Sequence, residues 1–351
     1  MKKILFLGII IVLCVVIPSF YFLVSPQLQP TPILSNKRPV VGVVLQKDGK
    51  HGTYVVYSNY VKALEGSGAK VVPVWINENE SYYQSIISSI NGLVFPGGSA
   101  DLLDPTDIGG AGQILFDLAA KLNDEGVHFP ILGVCQGFQL LATASARQKV
   151  LISCNGTIKD NLPVKFIEDP HQSYLFKSAP PQVVEILRNE AITPNIHSLC
   201  VTRGNLNRLG LITEWRVLSI DYTKNGLEYV TSMEHTRYPF AGVQFHPEKS
   251  IYDLSENSKY VSNYTAVFAN RWFYDWLVME ARMNGNTFSN ISVNDRIIDR
   301  YCPELITSKY GTVLNYYFNS TLNSTVKRVD GWDEQVSVRE LKDNSNVNEK
   351  N

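Results

Sequence analysis

Residues 131–138 read Ile-Leu-Gly-Val-Cys-Gln-Gly-Phe, and a helix-compatible run follows them to Ala146. Ile131–Val134 is a continuous apolar run, which is typical of a strand buried on both faces of a parallel sheet. A residue on the turn from such a strand into a helix is thrust outward at the carboxyl edge of the sheet, and flanking glycines permit the strained backbone of that turn. The segment therefore predicts a strand, a sharp turn that presents Cys135, and a helix.

The same alternation of short β-branched runs with helix-like stretches begins upstream, near residue 38. Strands and helices that alternate at this spacing imply βαβ crossovers, and therefore a parallel sheet covered by helices. The second half changes character, because its short strand candidates follow one another with turns between them. The sequence thus predicts an α/β fold with a doubly wound, mainly parallel sheet, helices on both faces and antiparallel additions in the second half.

The predicted elements are as follows. The strands of the first half are Val40–Leu45, Val71–Ile76, Leu93–Phe95 and Ile131–Val134, and its helices are Tyr54–Leu64, 80–90 and Ala111–Asn123. The second half has strands at Val164–Ile167, Val217–Ile220, Tyr229–Met233 and Ala241–Phe245, and a helix at Val261–Met283.

Charge and composition exclude several classes of protein. The 351-residue chain has 32 Lys plus Arg against 33 Asp plus Glu, so it lacks the basic excess that a nucleic-acid binder needs. Aromatic residues make up 11% of the chain, which supplies ample apolar area for a packed core and excludes global disorder. Five cysteines in so long a chain do not form a disulfide scaffold. We therefore expect a neutral globular protein without a nucleic-acid partner.

Composition divides the chain into four parts. Residues 1–25 place two lysines before an apolar run, as in a signal peptide, although the run also approaches the ~20 residues of a membrane-spanning signal-anchor. Residues 26–37 form a proline-rich tether, 38–285 the main folded domain, and 286–351 a partly disordered C-terminal extension. We expect the leader to be cleaved, so the protein contacts a membrane only if the leader is retained. The leader predicts the secretory route, with the lysosome, the vacuole or the extracellular space as destination.

Glycan acceptor sites agree with this route. An exported chain is expected to carry Asn-x-Ser/Thr sequons on its surface. The six sequons are at Asn79, Asn155, Asn263, Asn290, Asn319 and Asn323. Six matches support the leader, although chance matches are common in a chain rich in asparagine.

Cys135 is the candidate nucleophile. A lone cysteine is usually a small buried hydrophobe, but the order of strand, Gly, Cys, x, Gly and helix favours a reactive thiol. The N-terminus of the following helix stabilises a thiolate. The sequence therefore predicts covalent catalysis through this sulfur.

Residues 242–248, Gly-Val-Gln-Phe-His-Pro-Glu, supply a base and a carboxylate that could orient it. The strand delivers His246 to its edge, the proline fixes the turn, and Glu248 is close enough to accept a hydrogen bond from the imidazole. With Cys135 these residues form a predicted Cys-His-Glu triad. The segment Phe-Pro-Gly-Gly-Ser at 95–99 ends a neighbouring predicted strand, and its glycines leave backbone N–H groups free to bind an oxyanion.

Taken together, Pro-Gly-Gly, Gly-x-Cys-x-Gly-Phe and Gln-Phe-His-Pro-Glu-Lys resemble the class I glutamine amidotransferase-like superfamily. Within it the chain is most similar to the gamma-glutamyl hydrolases, a peptidase family (C26) that trims folate polyglutamates. Further similar stretches lie at residues 59–65, 90–102 and 194–198. The resemblance covers roughly residues 38–283 and implies a small-molecule substrate, a poly-γ-glutamyl folate or a similar conjugate. It leaves the oligomeric state open, with a homodimer as one option.

The resemblance also assigns roles by position. It implies that Cys135 is the nucleophile, His246 the general base and acid, and Glu248 the orienting carboxylate. The remaining implied positions are backbone N–H groups of Gly98 and Gln136 for the oxyanion, and His197, Tyr54 and Gln139 at the substrate. Gln139 is a departure, because members of this family often have an acidic residue there, and this puts the role of the position in doubt.

No cofactor or metal is expected, because the other histidines and cysteines lack the spacing of metal ligands. Cys154, Cys200 and Cys302 allow at most one disulfide among themselves. Two other functions remain open: a glutaminase module that feeds ammonia to a synthase, and a non-catalytic binding protein on the same scaffold. The first lacks an ATP-binding motif and a synthase domain, and the intact triad argues against the second.

Overall fold

The computed structural model describes residues 36–48, 53–253, 258–288, 297–308, 311–318 and 339–340. The predicted signal peptide or signal-anchor lies outside these residues, as does most of the tether. The sequons at Asn290, Asn319 and Asn323 lie outside them as well. Within the described residues, no helix has the length and apolar character that crossing a bilayer requires.

The described residues form strands and helices with the following bounds. The strands are β1 (Val40–Val44), β2 (Gln46–Asp48), β3 (Thr53–Tyr57), β4 (Lys70–Val74), β5 (Gly92–Phe95), β6 (Ile131–Val134), β7 (Ile152–Leu162), β8 (Lys165–Phe166), β9 (Thr193–Cys200), β10 (Trp215–Tyr222), β11 (Glu228–His235), β12 (Phe240–Val243), β13 (Glu304–Ser308), β14 (Gly311–Phe318) and β15 (Arg339–Glu340). The helices are α1 (Ser58–Gly66), α2 (Glu80–Ile87), α3 (Ile108–Asp124), α4 (Gln136–Ala146), α5 (Pro181–Asn189), α6 (Arg203–Arg208), α7 (Pro247–Tyr252) and α8 (Tyr264–Ala281).

The central sheet has eight strands in the order β4-β1-β5-β6-β12-β11-β10-β8. The first five of these run parallel, and the last three continue the sheet in antiparallel fashion. The predicted fold class is therefore confirmed. β12 differs in detail from the prediction, because it is antiparallel to β11 but parallel to β6, the strand that leads to Cys135. This order places β6 between β5 and β12, so the ends of all three strands lie side by side.

Helices cover both faces of this sheet, and the sequence of β1 shows why. Its alternate residues point to opposite faces. Val41 and Val43 belong to a buried cluster that includes α1 and α8, whereas Val40 and Val44 belong to a second cluster that includes α2 and α3. A strand that is buried on both faces must be apolar throughout, which is the pattern the sequence displays.

β3 occupies residues where the sequence predicts the start of a helix. The predicted helix Tyr54–Leu64 begins instead at Ser58, because residues 53–57 pair with β2 on one side and with β14 on the other. Val55 and Val56 are β-branched and buried, which suits a strand. The partner strand β14 is far away in sequence, so helical spacing within this segment could not reveal the pairing.

Part of the C-terminal stretch belongs to the folded core. The sequence places the end of that core near residue 285, whereas Ile298 and Phe318 lie buried among residues of the main cluster. Phe318 packs edge-on against Trp75, with ring centroids 5.7 Å apart. β13 and β14 extend the sheet of β2 and β3, which gives these C-terminal residues their partners.

A carboxyl pair joins α1 to this C-terminal stretch. Burial is the main cause that raises the pKa of Glu65 to about 7, and a hydrogen bond to Asp299 and the negative charge of Asp299 add to it. The positive charge of Lys62 opposes this shift. The unfolded chain has the ordinary pKa near 4.5, so between these values the folded protein binds more protons than the unfolded chain. Stability linked to Glu65 is therefore fully present below the lower value and is lost as the pH rises towards about 7.

We expect Glu65→Gln to reduce the pH dependence of stability. Glutamine keeps the shape of the protonated side chain but does not titrate, so the loss of Tm between about pH 5 and pH 7.5 should be smaller than in the wild type. Thermal melts at several pH values measure this difference. Glu125→Gln on the exposed end of α3 is the matched control and should melt with the wild-type pH dependence. An unchanged pH dependence in Glu65→Gln would contradict the assignment.

Candidate active site

Cys135 lies on the turn between β6 and α4 with φ 51° and ψ −103°. A positive φ is rare for a residue with a side chain and marks a strained turn. The strain falls on the cysteine itself, and the flanking glycines have a different purpose from the one expected. A Cβ on Gly133 would meet the backbone of Gly137, and a Cβ on Gly137 would meet the carbonyl group of Phe95. The glycines therefore allow β5, β6 and α4 to approach closely.

The parallel pairing of β6 with β12 brings the histidine to the cysteine. Val134 lies opposite Val243, and the N–H of Cys135 donates to the carbonyl oxygen of Val243 at 2.8 Å. His246 follows β12 immediately before α7, with its Nδ1 2.7 Å from Oε1 of Glu248. This contact occupies Nδ1, so the imidazole offers Nε2 to Cys135, with which its side chain forms a hydrogen bond.

The electrostatics of the triad favour a charged histidine. Burial acts to lower the pKa of His246, but the charges of Cys135 and Glu248, together with hydrogen bonds to both, outweigh it and raise the pKa to about 9. Burial likewise acts to raise the pKa of Glu248, but the charge of His246 and the hydrogen bond with it lower that pKa overall. The site thus favours a protonated imidazole next to an ionised Glu248.

Two buried tyrosines hold Glu248, and the sequence did not identify either of them. The hydroxyl of Tyr274 on α8 donates to Oε2 of Glu248 at 3.3 Å. Tyr60 on α1 lies close enough to Glu248 for that carboxylate to raise its pKa, and its hydroxyl accepts the N–H of Gly97 at 2.8 Å. Burial is the largest cause that raises the pKa of both tyrosines well above its ordinary value. The sequence feature that could have identified them is a tyrosine on the buried face of each of these helices.

The Pro-Gly-Gly loop lies beside Cys135. Since Gly97 donates its N–H to Tyr60, the loop can offer the N–H of Gly98 to a ligand. Among the described residues no acceptor takes the N–H of Gly98 or that of Gln136. Nε2 of Gln46 donates to the carbonyl oxygen of Gly97 at 2.7 Å and fixes the loop. The two N–H groups that the sequence singled out are thus available next to the sulfur.

His197 is a buried, neutral histidine near the triad. Its Nδ1 lies 3.2 Å from the carbonyl oxygen of Leu199, and its Nε2 has no partner among the described residues. Burial lowers its pKa to about 4; the hydrogen bond to Leu199 opposes this shift, whereas the charge of His246 adds to it. A neutral imidazole whose Nδ1 donates to a carbonyl presents Nε2 as a hydrogen-bond acceptor.

The remaining predicted site residues are placed as follows. Gln139, on α4 one turn after Cys135, donates through Nε2 to the carbonyl oxygen of Leu199 at 2.9 Å and to Oε1 of Gln244 at 3.1 Å. Tyr54 lies on β3 and packs edge-on against Trp75, in the second sheet. The predicted role of Tyr54 at the substrate stays a prediction; the tyrosines next to Glu248 are Tyr60 and Tyr274.

Two of the predicted sequons begin helices. Asn79 and Asn263 are exposed, and the side-chain oxygen of each caps the helix that follows, α2 and α8 respectively. The cap uses the oxygen of the amide group, so it does not occupy the nitrogen that a glycan modifies. Asn155 lies on β7.

A disulfide lies next to His197. Cys154 on β7 and Cys200 on β9 are bonded, which leaves Cys135 buried and Cys302 exposed as the unpaired cysteines among the described residues. The sulfurs and His197 are close enough to suggest a metal site, but the disulfide accounts for their proximity. β7 and β9 form a separate two-stranded sheet, and Ile196 of β9 presents its carbonyl oxygen 3.7 Å from the sulfur of Cys135.

A cavity of about 470 Å³ lies elsewhere, beside residues such as His128, Arg216 and Pro239. Pro239 immediately precedes β12, so this cavity is at the opposite edge of the central sheet from Cys135. His128 and Tyr174, both in its lining, each contact the same oxygen of Glu280 at 2.7 Å. The cavity is therefore distinct from the triad.

Comparison with known proteins gives a consistent result. The sequence profile of the peptidase C26 family matches residues 39–248, a region that includes the whole triad. The gamma-glutamyl hydrolase of Mus musculus is 32% identical over 260 residues, which cover 73% of this chain and 81% of that protein. The gamma-glutamyl hydrolase of Rattus norvegicus is 29% identical, covering 80% of this chain and 90% of that protein. The enzyme of the same name from Homo sapiens is 30% identical, covering 75% and 83% respectively.

Proposed function

Since the chain belongs to the peptidase C26 family, we propose that it is a cysteine hydrolase that cleaves γ-glutamyl amide bonds. One observation carries the assignment of the site. Cys135 is held at a positive φ on a strand-to-helix turn, within hydrogen-bond reach of a histidine that is itself bonded to Glu248. This is the arrangement that an activated nucleophile, its base and an orienting group require.

The reaction follows from these positions. The sulfur of Cys135 attacks the γ-carbonyl carbon, and the electron pair of the carbonyl bond moves to oxygen. His246 then gives its Nε2 proton to the nitrogen of the leaving amine, the C–N bond breaks, and a thioester remains. A water molecule gives a proton to His246 and attacks the thioester. The C–S bond then breaks, Cys135 leaves as a thiolate, and the γ-carboxylic acid gives its remaining proton to solvent and is released as the carboxylate.

The loop and the first turn of α4 stabilise the charge that develops on the carbonyl oxygen. The N–H groups of Gly98 and Gln136 supply two donors, which act strongly because the surroundings are buried and fixed. Tyr60 lies between this loop and Glu248, since its hydroxyl accepts from Gly97 and the nearby carboxylate raises its pKa. One side chain thereby sets the spacing between the oxyanion donors and the base.

The substrate class is proposed as folylpoly-γ-glutamates or similar γ-glutamyl conjugates. His197, with its unpartnered Nε2, would accept a hydrogen bond from an N–H group of the substrate. The leader and the sequons support a secretory or lysosomal protein that carries glycans at Asn79 and Asn263. No cofactor takes part in the proposed steps.

Paired substrates test this function. The full chain is incubated with a pteroyl tri-γ-glutamate and with its α-linked isomer, and the products are separated by size over time. We expect shorter γ-linked products and at least about 100-fold slower cleavage of the α-linked isomer, since only the γ-carbonyl would meet both the sulfur and the oxyanion donors. Ammonia release from free glutamine without cleavage of the γ-linked chain would favour a glutaminase, and equal cleavage of both isomers would contradict the proposal.

A further inference from the structure

Gln139 and Gln244 form a buried amide pair that ends at the nucleophile. Gln139 is 5% exposed, and Gln244, which directly follows β12, has no exposed surface. Nε2 of Gln244 lies 3.7 Å from the sulfur of Cys135. Both side chains are uncharged, so any effect of the pair on the sulfur comes from the direction of their dipoles.

The direction of the first amide is set by a carbonyl group. The oxygen of Leu199 can only accept, so Gln139 must turn its Nε2 towards it, which it does at 2.9 Å. The same nitrogen carries a second hydrogen, which is donated to Oε1 of Gln244 at 3.1 Å. The opposite orientation of Gln244 would set two N–H groups against each other. Gln244 is therefore left with its N–H side facing the sulfur.

We propose that Gln139 is a positioning residue that fixes the Gln244 amide so that its N–H stabilises the thiolate of Cys135. The inference rests on the proposed function in taking this sulfur as the nucleophile. Stabilisation by a neutral donor adds to that from the N-terminus of α4 and from His246. It also persists when the imidazole loses its charge during the catalytic cycle.

A carboxyl group at position 139 would disturb the direction of the hydrogen bonds that run from this position through Gln244 to the sulfur. If ionised, it can only accept, and it would draw the N–H side of Gln244 towards itself. If protonated, its single hydroxyl hydrogen cannot be donated to both Leu199 and Gln244, as the two hydrogens on Nε2 of Gln139 are. A carboxyl group therefore cannot satisfy the carbonyl oxygen of Leu199 and hold Gln244 in the observed direction at the same time. The glutamine at this position is thus the feature on which the direction of the pair depends.

Alkylation of the thiol tests the proposal without any substrate. The rate of iodoacetamide labelling of Cys135 is measured against pH in the full chain, with peptide mass analysis to separate Cys135 from Cys302. In Gln139→Glu and in Gln244→Met we expect labelling at pH 6 to fall about tenfold, and the midpoint of the pH profile to rise. At high pH the thiol is fully ionised in every variant, so the labelling rate should stay within about twofold of the wild-type rate.

The two variants distinguish an effect of added charge at position 139 from an effect of the N–H that Gln244 donates to the sulfur. Gln244→Met removes the donor without adding charge, and it also serves if Gln139→Glu fails to fold. Gln113→Glu on α3, which packs against α4, makes the same substitution outside the pair and should keep the wild-type profile. Wild-type profiles in both Gln139→Glu and Gln244→Met would overturn the inference. A shifted profile in a protein that does not cleave γ-glutamyl bonds would support the pair and refute the proposed substrate.

Discussion

Replacement of Cys135 by alanine is expected to reduce turnover of a poly-γ-glutamyl substrate by about 10⁴-fold or more. Without the sulfur no thioester can form, and His246 and Glu248 have no nucleophile to activate. The buried N–H donors of the oxyanion site would remain, so substrate binding should persist while kcat collapses. The measurement is the rate of product formation under saturating substrate, with binding followed separately by fluorescence of the pteroyl group.

The matched control for this variant is Cys302→Ser. Cys302 is the other unpaired cysteine among the described residues and is exposed, so its loss should leave turnover within about twofold of the wild type. Iodoacetamide should inactivate the wild type and Cys302→Ser alike. Full activity in Cys135→Ala would show that another group attacks the substrate, and the site assignment would then fail.

Replacement of Gly137 by alanine is expected to destabilise the protein by about 3 kcal/mol or more. The added Cβ would overlap the carbonyl carbon and oxygen of Phe95, which belong to the backbone of the central sheet. A backbone group in a paired strand cannot rotate away as a flexible side chain can. β5 and α4 would have to separate, and the turn that carries Cys135 would move with them.

Thermal unfolding measures this effect as a fall in Tm of about 10 °C. Gly285→Ala is the control, because a Cβ there meets nothing within 4 Å and the backbone is not in the left-handed region. That variant should melt within about 2 °C of the wild type. Equal melting of the two alanine variants would mean that the close approach at Gly137 is not a constraint on the fold.

The sequence was informative where a short segment carries the whole signal. The strand before Cys135 is buried on both faces, so its apolar run is visible without knowledge of its neighbours. Gly97 and Gly98 were also visible, since consecutive glycines at the end of a strand leave backbone N–H groups free for an anion, and the neighbouring triad favours that use over an ordinary turn. The contact between His246 and Cys135 depends on the pairing of β6 with β12, about 110 residues apart. The sequence connected the two residues through the base that a nucleophile requires and through the family resemblance, because no local pattern encodes that pairing.

The parts that could not be predicted depend on distant packing. Residues 53–57 were predicted to begin a helix; they pair with β2, a strand of only three residues, and with β14, which lies more than 250 residues further along the chain. Tyr60 and Tyr274 look like ordinary buried positions of amphipathic helices, and their link to Glu248 exists only once α1 and α8 pack on the same face of the sheet. The direction of the Gln139 amide depends on a carbonyl group of β9, which no local pattern encodes.

The bond between Cys154 and Cys200 has a consequence for how an active molecule is made. It ties β7 to β9, whose Ile196 carbonyl oxygen lies 3.7 Å from the sulfur of Cys135, and it forms only where thiols are oxidised. Cys135 must pass through the same oxidant unpaired, and its burial, with 4% of its surface exposed, shields it. A chain that folds in a reducing cytosol would therefore lack the disulfide between β7 and β9. The redox state of the compartment in which the chain folds would therefore decide whether the strands beside Cys135 are covalently joined.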